Sequence, residues 1–274
     1  MERIYFDNAA TTPVAPEVLE AMLPYFTESF GNASSIHTFG LNAKRALDRA
    51  RQTLAQALHA QPSEIIFTSG GTEANNLAIF GVAAQHAEPQ HMITSAIEHP
   101  SVLQACKMLE KKGWHVSYLP VDQHGVLDPD DLQPALRENT VLISVMLVNN
   151  ETGVVQPVQQ MAEIAAARGI PFHSDAVQAF GKMPIDLQRS DISLLSLSGH
   201  KIYGPKGVGA LFVRKNVKLA PQLIGGGQEE KRRAGTENIP AIVGLAKAVE
   251  LIANGKTELQ NHLRQLSSRF IDFV

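Results

Sequence analysis

The 274-residue sequence predicts an α/β fold, with a mostly parallel sheet and helices on both faces. Three observations carry that expectation. Short β-rich runs alternate with helical runs along the chain. Several of the β-rich runs are apolar on both faces, as strands covered on each side are. Polar residues gather just after those runs, where open α/β sheets bind their ligands.

The elements follow in order. "EIIFTS" (64–69) reads as a strand and "GTEANNLAIFGVAAQ" (71–85) as a helix opened by glycine. "HMITSA" (91–96) is the next strand, and "PSVLQACKMLEKKG" (100–113) a helix with proline at its start and glycine at its end. Further strands are predicted at "HVSYLPV" (115–121), "TVLISVMLV" (140–148), "IPFHSDA" (170–176) and "ISLLSLS" (192–198). "DPDDLQPALREN" (128–139) and "PVQQMAEIAAARG" (157–169) read as helices between them. "GVGALFVRK" (207–215) follows a glycine turn and is compatible with an antiparallel return. No internal repeat or low-complexity segment is visible. At the end, Leu259, Leu263, Leu266, Phe270 and Phe273 fall on one helical stripe. Either that helix packs back on the main domain, or its partner lies in further chain.

Hydrophobic residues make up 44% and charged residues 19%, the balance of an ordinary globular protein. Net charge is −3 with no long charge run, which argues against nucleic acid or an anionic membrane as main partner. No apolar run approaches the ~18 residues of a membrane span. The N-terminus has an acid at position 2 and no apolar leader core, so no secretory signal is expected. Cys106 is the single cysteine, so no intrachain disulfide can form. Together these features point to the cytoplasm.

The strand ends hold the candidate chemistry. "SGGTEANN" places Gly71 and Thr72 at a helix start, where free N–H groups suit a phosphate. A plain turn with Thr72 as cap fits the same residues. No P-loop and no GxGxxG fingerprint occurs, which argues against a nucleotide site. Asp175 ends a strand with Gln178 three residues on; it suits a metal beside His173, or a cationic ring nitrogen. No tight metal-ligand spacing supports the metal. Lys201 follows an apolar strand and Ser198-Gly199-His200. Free lysine has a pKa of about 10.4, so only ~0.04% is neutral at pH 7. A nucleophilic Lys201 therefore needs desolvation or positive neighbours; the alternative is a solvated turn lysine. Pyridoxal phosphate uses all these parts at once: a phosphate cup, a lysine, an acid for the ring nitrogen and a stacking group, here His99.

The stretches "YFDNAATTP" (5–13), "FGNASSIHTFG" (30–40), "FTSGGTEANNLAI" (67–79), "IEHPSV" (97–102), "VNNETGVVQP" (148–157), "HSDAVQAFGK" (173–182), "SLSGHKIYGPKGVGAL" (196–211) and "RRAGTENIPAIVGLAKA" (232–248) resemble the cysteine desulfurases of the NifS/IscS type. Those belong to the class V aminotransferases of fold-type I. The resemblance implies a pyridoxal phosphate enzyme that converts L-cysteine to L-alanine and transfers sulfur as a persulfide. It implies a homodimer serving an Fe–S scaffold or a tRNA-thiolating enzyme, without direct nucleic-acid or membrane binding.

Residue by residue, the resemblance assigns the Schiff-base lysine to Lys201 and ring stacking, with acid–base steps, to His99. Asp175 would pair with the ring nitrogen and Gln178 with the phenolic oxygen. Gly71, Thr72, Ser198 and His200 would hold the phosphate, and Thr236 would reach the partner subunit's. Asn150 would lie near cofactor and substrate, with Asn8 and Ala9 at the substrate mouth. The expected domains are 1–12 as a segment of the small domain, 13–256 as the cofactor-binding large domain, and 257–274 as the start of a small C-terminal domain that is largely missing. The family's nucleophilic cysteine and carboxylate-clamping arginine fall beyond these residues, so little turnover is expected of this chain. Cys106, on an apolar helix face, reads as a core thiol. The rival readings are a cysteine or selenocysteine lyase, an aminotransferase, or a non-catalytic interaction protein on the same fold.

Overall fold

The structure, a computed structural model, describes residues 4–273, without the side chains of residues 254–260. Residues 1–3 of the expected N-terminal segment, Leu259 of the apolar stripe and residue 274 therefore lie outside the description. Seven strands form one sheet: β1 (Ile65–Thr68), β2 (His91–Ser95), β3 (His115–Leu119), β4 (Thr140–Ser144), β5 (Phe172–Asp175), β6 (Leu194–Ser198) and β7 (Gly209–Val213). Their spatial order is β1-β7-β6-β5-β4-β2-β3. Strands β2 to β6 pair in parallel, while β7 runs antiparallel between β6 and β1. The glycine-led segment after Lys201 thus returns as the antiparallel strand. Chain order reverses where β2 and β4 lie side by side, which opens a crevice at the strand ends.

Helices cover both faces. They are α1 (Pro16–Met22), α2 (Pro24–Thr27), α3 (Thr38–Leu58), α4 (Gly71–Ala83), α5 (Pro100–Glu110), α6 (Leu132–Ala135), α7 (Val158–Ala167) and α8 (Ile239–Phe273). Alternation along the strands sorts the core. Ile65, Phe67, Leu195, Leu197, Ala210 and Phe212 face α1, α3, α7 and α8. Ile66, Leu194, Leu211 and Val213 face α4 and α5. None of the helices among the described residues is long and apolar enough to cross a membrane.

Two segments, 128–139 and 140–148, depart from the sequence reading. The helix expected over 128–139 is a single turn, Pro129–Asp131, followed by the four residues of α6. Pro134 has no N–H to extend the ladder, and Leu136 turns extended at ψ 139°. The strand expected over 140–148 ends as a ladder at Ser144, but the chain stays extended beside β5: Val145 N–H donates to His173 O at 3.0 Å and Leu147 N–H to Asp175 O at 2.9 Å. At the C-terminal end, α8 runs unbroken across residue 256. Its first half is buried through Ile242, Leu245, Ala248 and Val249. Leu263, Leu266, Phe270 and Phe273 are about half to nine-tenths exposed, so the stripe does not pack back on the main domain.

Edge strand β1 is closed by one side chain. Glu229 Oε2 accepts from Phe67 N–H at 2.9 Å, and both its oxygens take Arg51 in a two-pronged pair at 2.8 and 2.6 Å. Glu229 is buried, and it starts a left-handed run with φ of 46°, 56° and 65° over Glu229, Glu230 and Lys231.

Two buried histidines sit neutral in the sheet. His173 lies between Ser144 Oγ (2.8 Å) and Ser196 Oγ (2.9 Å); His91 lies between Thr140 Oγ1 (2.8 Å) and Ser117 Oγ (2.9 Å). Burial pushes His173 down to about 3 and His91, with help from Arg137 and His115, down to about 4. An unfolded histidine titrates near 6.5. As pH falls below that value the unfolded chain binds protons that the folded chain refuses, and stability drops by about 1.4 kcal/mol per pH unit for each histidine. His173→Gln is expected to flatten that acid limb by one proton, read from unfolding free energies across the pH series; an unchanged slope would contradict the assignment.

Candidate active site

The crevice holds a cavity of about 500 Å³. Its floor comes from five strand ends, and each side chain is placed by a local cause. Gly71 opens α4 and presses on Val177: an added Cβ would stand 2.6 Å from Val177 Cγ2. Gly209 backs the same loop, where a Cβ would meet Leu197 O at 2.5 Å and Gly70 C at 2.7 Å. The first turn of α4, with Gly71 and Thr72, is thereby held against Ser198 at the end of β6, and its free N–H groups line the cavity.

Lys201 ends the turn Gly199–Lys201 that follows β6. Thr12 straps this turn to the N-terminal segment. Its hydroxyl donates to His200 O at 2.9 Å and accepts from Tyr203 N–H at 2.7 Å, while its own N–H donates to His200 O at 2.9 Å. Lys201 Nζ donates to the carbonyls of Ala9 and, at 2.9 Å, Ala10. Burial lowers the Lys201 pKa, against the pull of Asp7, Asp175 and Glu151. That is the desolvation a nucleophilic amine requires. His200 is lowered too, by burial and then by Lys201 and Lys206, and its Nδ1 lies 3.1 Å from Thr11 Oγ1.

Asp175 is buried at the end of β5. Its oxygens accept from Val177 N–H at 2.9 Å and Asn75 Nδ2 at 2.7 Å. Burial raises its pKa, against those two bonds and the charge of Lys201. Among the described residues no cation lies within ion-pair distance of it. A buried acid that faces a cavity with no cation in ion-pair contact fits a cationic ring nitrogen. The metal alternative loses its second ligand, since both ring nitrogens of His173 are taken by serines. Glu98, next to His99, is pushed up to about 8 by burial and keeps its proton at neutral pH.

Ala9, His99, Asn150 and Gln178 complete the predicted residues that line this cavity. Gln178 Nε2 donates to Ala9 O at 2.9 Å and its Oε1 accepts from Lys182 at 2.9 Å. Asn8 does not line the cavity, although its neighbours Asp7 and Ala9 do. Thr236 is exposed and lies outside it. Its loop is tied to α4 by Arg233, which holds Glu73 at 2.7 and 3.1 Å. The sequence reading missed Asp7, Thr12, Asn75, Ser101 and Glu151. Asn75 was findable, because it stands three residues after Thr72 and so on the same helix face.

Cys106 is fully buried on α5, 3.8 Å from Met92 Sδ. Burial, then Glu98 and Glu110, push its thiol up to about 12. It is no sulfur nucleophile. A thiol reagent is expected to leave the native chain unlabelled and to modify one site per chain after denaturation; rapid native labelling would contradict the burial.

A desolvated lysine, a buried acid and a glycine-opened helix start, all at the ends of a mostly parallel sheet, define a pyridoxal phosphate enzyme of fold-type I. The aminotransferase class-V family model matches residues 4–272. The chain is 54% identical over 270 residues to the cysteine desulfurase IscS of Methanosarcina thermophila, covering 98% of this chain and 67% of that protein. It is 50% identical to the putative cysteine desulfurase IscS 1 of Bacillus subtilis, covering 99% and 72%. A solved NifS-like protein superposes with a TM-score of 0.96 at 40% identity, covering 99% of this chain and 75% of that one. SspA in complex with cysteine superposes at 0.89 with 49% identity, covering 90% and 72%. The chain belongs to the aminotransferase class-V family, among its cysteine desulfurases. It spans about two thirds to three quarters of the length of these relatives.

Proposed function

We propose that this chain carries the cofactor half of an L-cysteine desulfurase, with Lys201 and Asp175 as its principal groups. The observation that carries this reading is their meeting in one cavity, the amine half-buried and the acid buried with no cation in ion-pair contact. Pyridoxal phosphate, when bound, supplies an electron sink for the bonds at the substrate α-carbon. Lys201 would hold it covalently, and Asp175 would keep its ring nitrogen protonated. The N–H groups of Gly71 and Thr72, with Ser198 and His200, would take the phosphate. His99 would cover the ring, Gln178 would donate to the phenolic oxygen, and Asn150 would orient the substrate carboxylate, with Asn8 and Ala9 at the mouth.

The net reaction breaks the C–S bond of L-cysteine, leaves L-alanine and passes the sulfur to an acceptor thiol as a persulfide. Cys106 is too buried to be that acceptor. Thr236 on its tethered loop, outside the chain's own cavity, supports a homodimer in which it reaches the partner's phosphate. Leu19, Leu23, Phe26, Phe30 and Phe39 are all exposed, with the Phe30 and Phe39 rings 5.4 Å apart, and exposed apolar residues of this kind suit such an interface. An Fe–S scaffold or a tRNA-thiolating protein in the cytoplasm would take the sulfur.

The test is spectroscopic. The chain is expected to gain visible absorbance with pyridoxal phosphate, and borohydride followed by peptide mapping to place the label on Lys201. A label elsewhere, or none, would overturn the reading. Product analysis with L-cysteine separates persulfide transfer from free sulfide or amino transfer, the outcomes expected of a lyase or an aminotransferase.

A further inference from the structure

Asp175 and His99 are joined by two side chains with no role in the reading above. Asn75 Nδ2 donates to Asp175 Oδ2 at 2.7 Å and to Ser101 Oγ at 2.8 Å, using both amide hydrogens. The amide cannot be turned over, because Asn75 Oδ1 would then face the Asp175 carboxylate oxygen. Ser101 Oγ accepts from Asn75, so its own hydrogen is left for His99 Nδ1 at 2.8 Å. The backbone N–H of Ser101, in the first turn of α5, reaches the same Nδ1 at 3.1 Å. Two donors therefore converge on one ring nitrogen, which must present a lone pair. His99 is also the N-cap of α5, an eleven-residue helix, which fixes the ring against the Ser101 N–H. The ring hydrogen belongs on Nε2, which makes no hydrogen bond among the described residues, and His99 lines the cavity.

We propose that Asn75 and Ser101 are positioning residues, a one-way relay by which the Asp175 carboxylate locks His99 as the Nε2–H tautomer. His99 then meets what the cavity holds as a hydrogen-bond donor, and it can act as a base only by giving up the Ser101 bonds. The consequence for chemistry rests on the cofactor reading above. The lock itself belongs to the chain alone, so the two fail separately.

The test uses the full chain with isotope-labelled histidine, with and without pyridoxal phosphate. Proton–nitrogen correlation spectra report each ring nitrogen, and His99 is assigned by the signals lost in His99→Gln. The wild type is expected to show one tautomer, with Nδ1 unprotonated and hydrogen-bonded and Nε2 protonated. Ser101→Ala and Asn75→Leu should each move the Nδ1 resonance toward that of an imine nitrogen accepting fewer bonds. Ser101→Thr should restore it. Ser101→Pro, tolerated in a first helical turn, removes both donors and should admit the Nδ1–H form. A wild-type ring that is a mixture or carries its hydrogen on Nδ1 overturns the proposal without any variant. An Nδ1 resonance unmoved in both Ser101→Ala and Asn75→Leu also overturns it. A locked ring in a chain that gains no visible band counts against the cofactor reading and leaves the lock standing.

Discussion

Asp175→Ala is expected to leave pyridoxal phosphate attached through Lys201 while slowing exchange of the L-alanine α-proton with solvent by about 10²–10³-fold. The two halves have separate causes. Attachment would depend on the Lys201 amine and the N–H groups that open α4; Asp175 bonds to neither, meeting α4 only through the Asn75 side chain. Proton loss at the α-carbon would depend on a cofactor ring nitrogen that keeps its positive charge, and the buried Asp175 carboxylate would be the partner that holds it there. Asp175 is buried and already holds two donors, so its charge is oriented before any ligand enters. The loss is the scale seen when one preorganised electrostatic partner is removed. Exchange of L-alanine protons needs no sulfur acceptor, so deuterium incorporation followed by NMR reads the step on this chain directly. Near-normal exchange in the variant would remove Asp175 from its proposed role.

The second large effect falls on stability. Glu229→Ala is expected to cost about 3–5 kcal/mol, the scale for breaking one side of a buried ion pair. Arg51 would keep its charge in a largely buried setting with the Ile65 carbonyl and the face of the Phe67 ring as its remaining partners among the described residues, and Phe67 N–H on edge strand β1 would lose its acceptor. Glu229→Gln should fall between, because its amide oxygen can accept one of the two sets of bonds. Denaturant midpoints for the three proteins check the order. A loss under about 1 kcal/mol for Glu229→Ala would mean the pair contributes no more than a surface salt bridge.

Most of the sheet was legible because its signal is local. Runs such as "LLSLS" declare a buried strand by composition, and glycine and proline mark where they stop. The Lys201 turn was legible for the same reason. The long α3 carries the same kind of signal, since Ala43, Ala46, Leu47, Ala50, Leu54 and Leu58 repeat at helical spacing and are all buried, yet the sequence reading named no element before residue 64. The short α6 was not legible, because Pro134 and the turn at Leu136 outweigh an otherwise helical composition. The Asn75–Ser101 relay joins residues twenty-six apart through one side-chain bond, and no periodicity encodes such a pair. The Glu229–Arg51 pair spans 178 positions and was invisible for the same reason.

The strap at residues 9–12 carries a consequence for genetics. Lys201 and Gln178 are held by the carbonyls of Ala9 and Ala10, and Thr12 N–H adds a third main-chain contact. No side chain at position 9 or 10 makes these bonds, so a small substituent at either position would leave them intact. A one-residue deletion between Asp7 and Thr12 would instead shift every carbonyl out of register. The main-chain bonds of this segment thus answer to insertions and deletions, whereas point mutation would be felt through the Thr12 hydroxyl and the cavity-facing side chains.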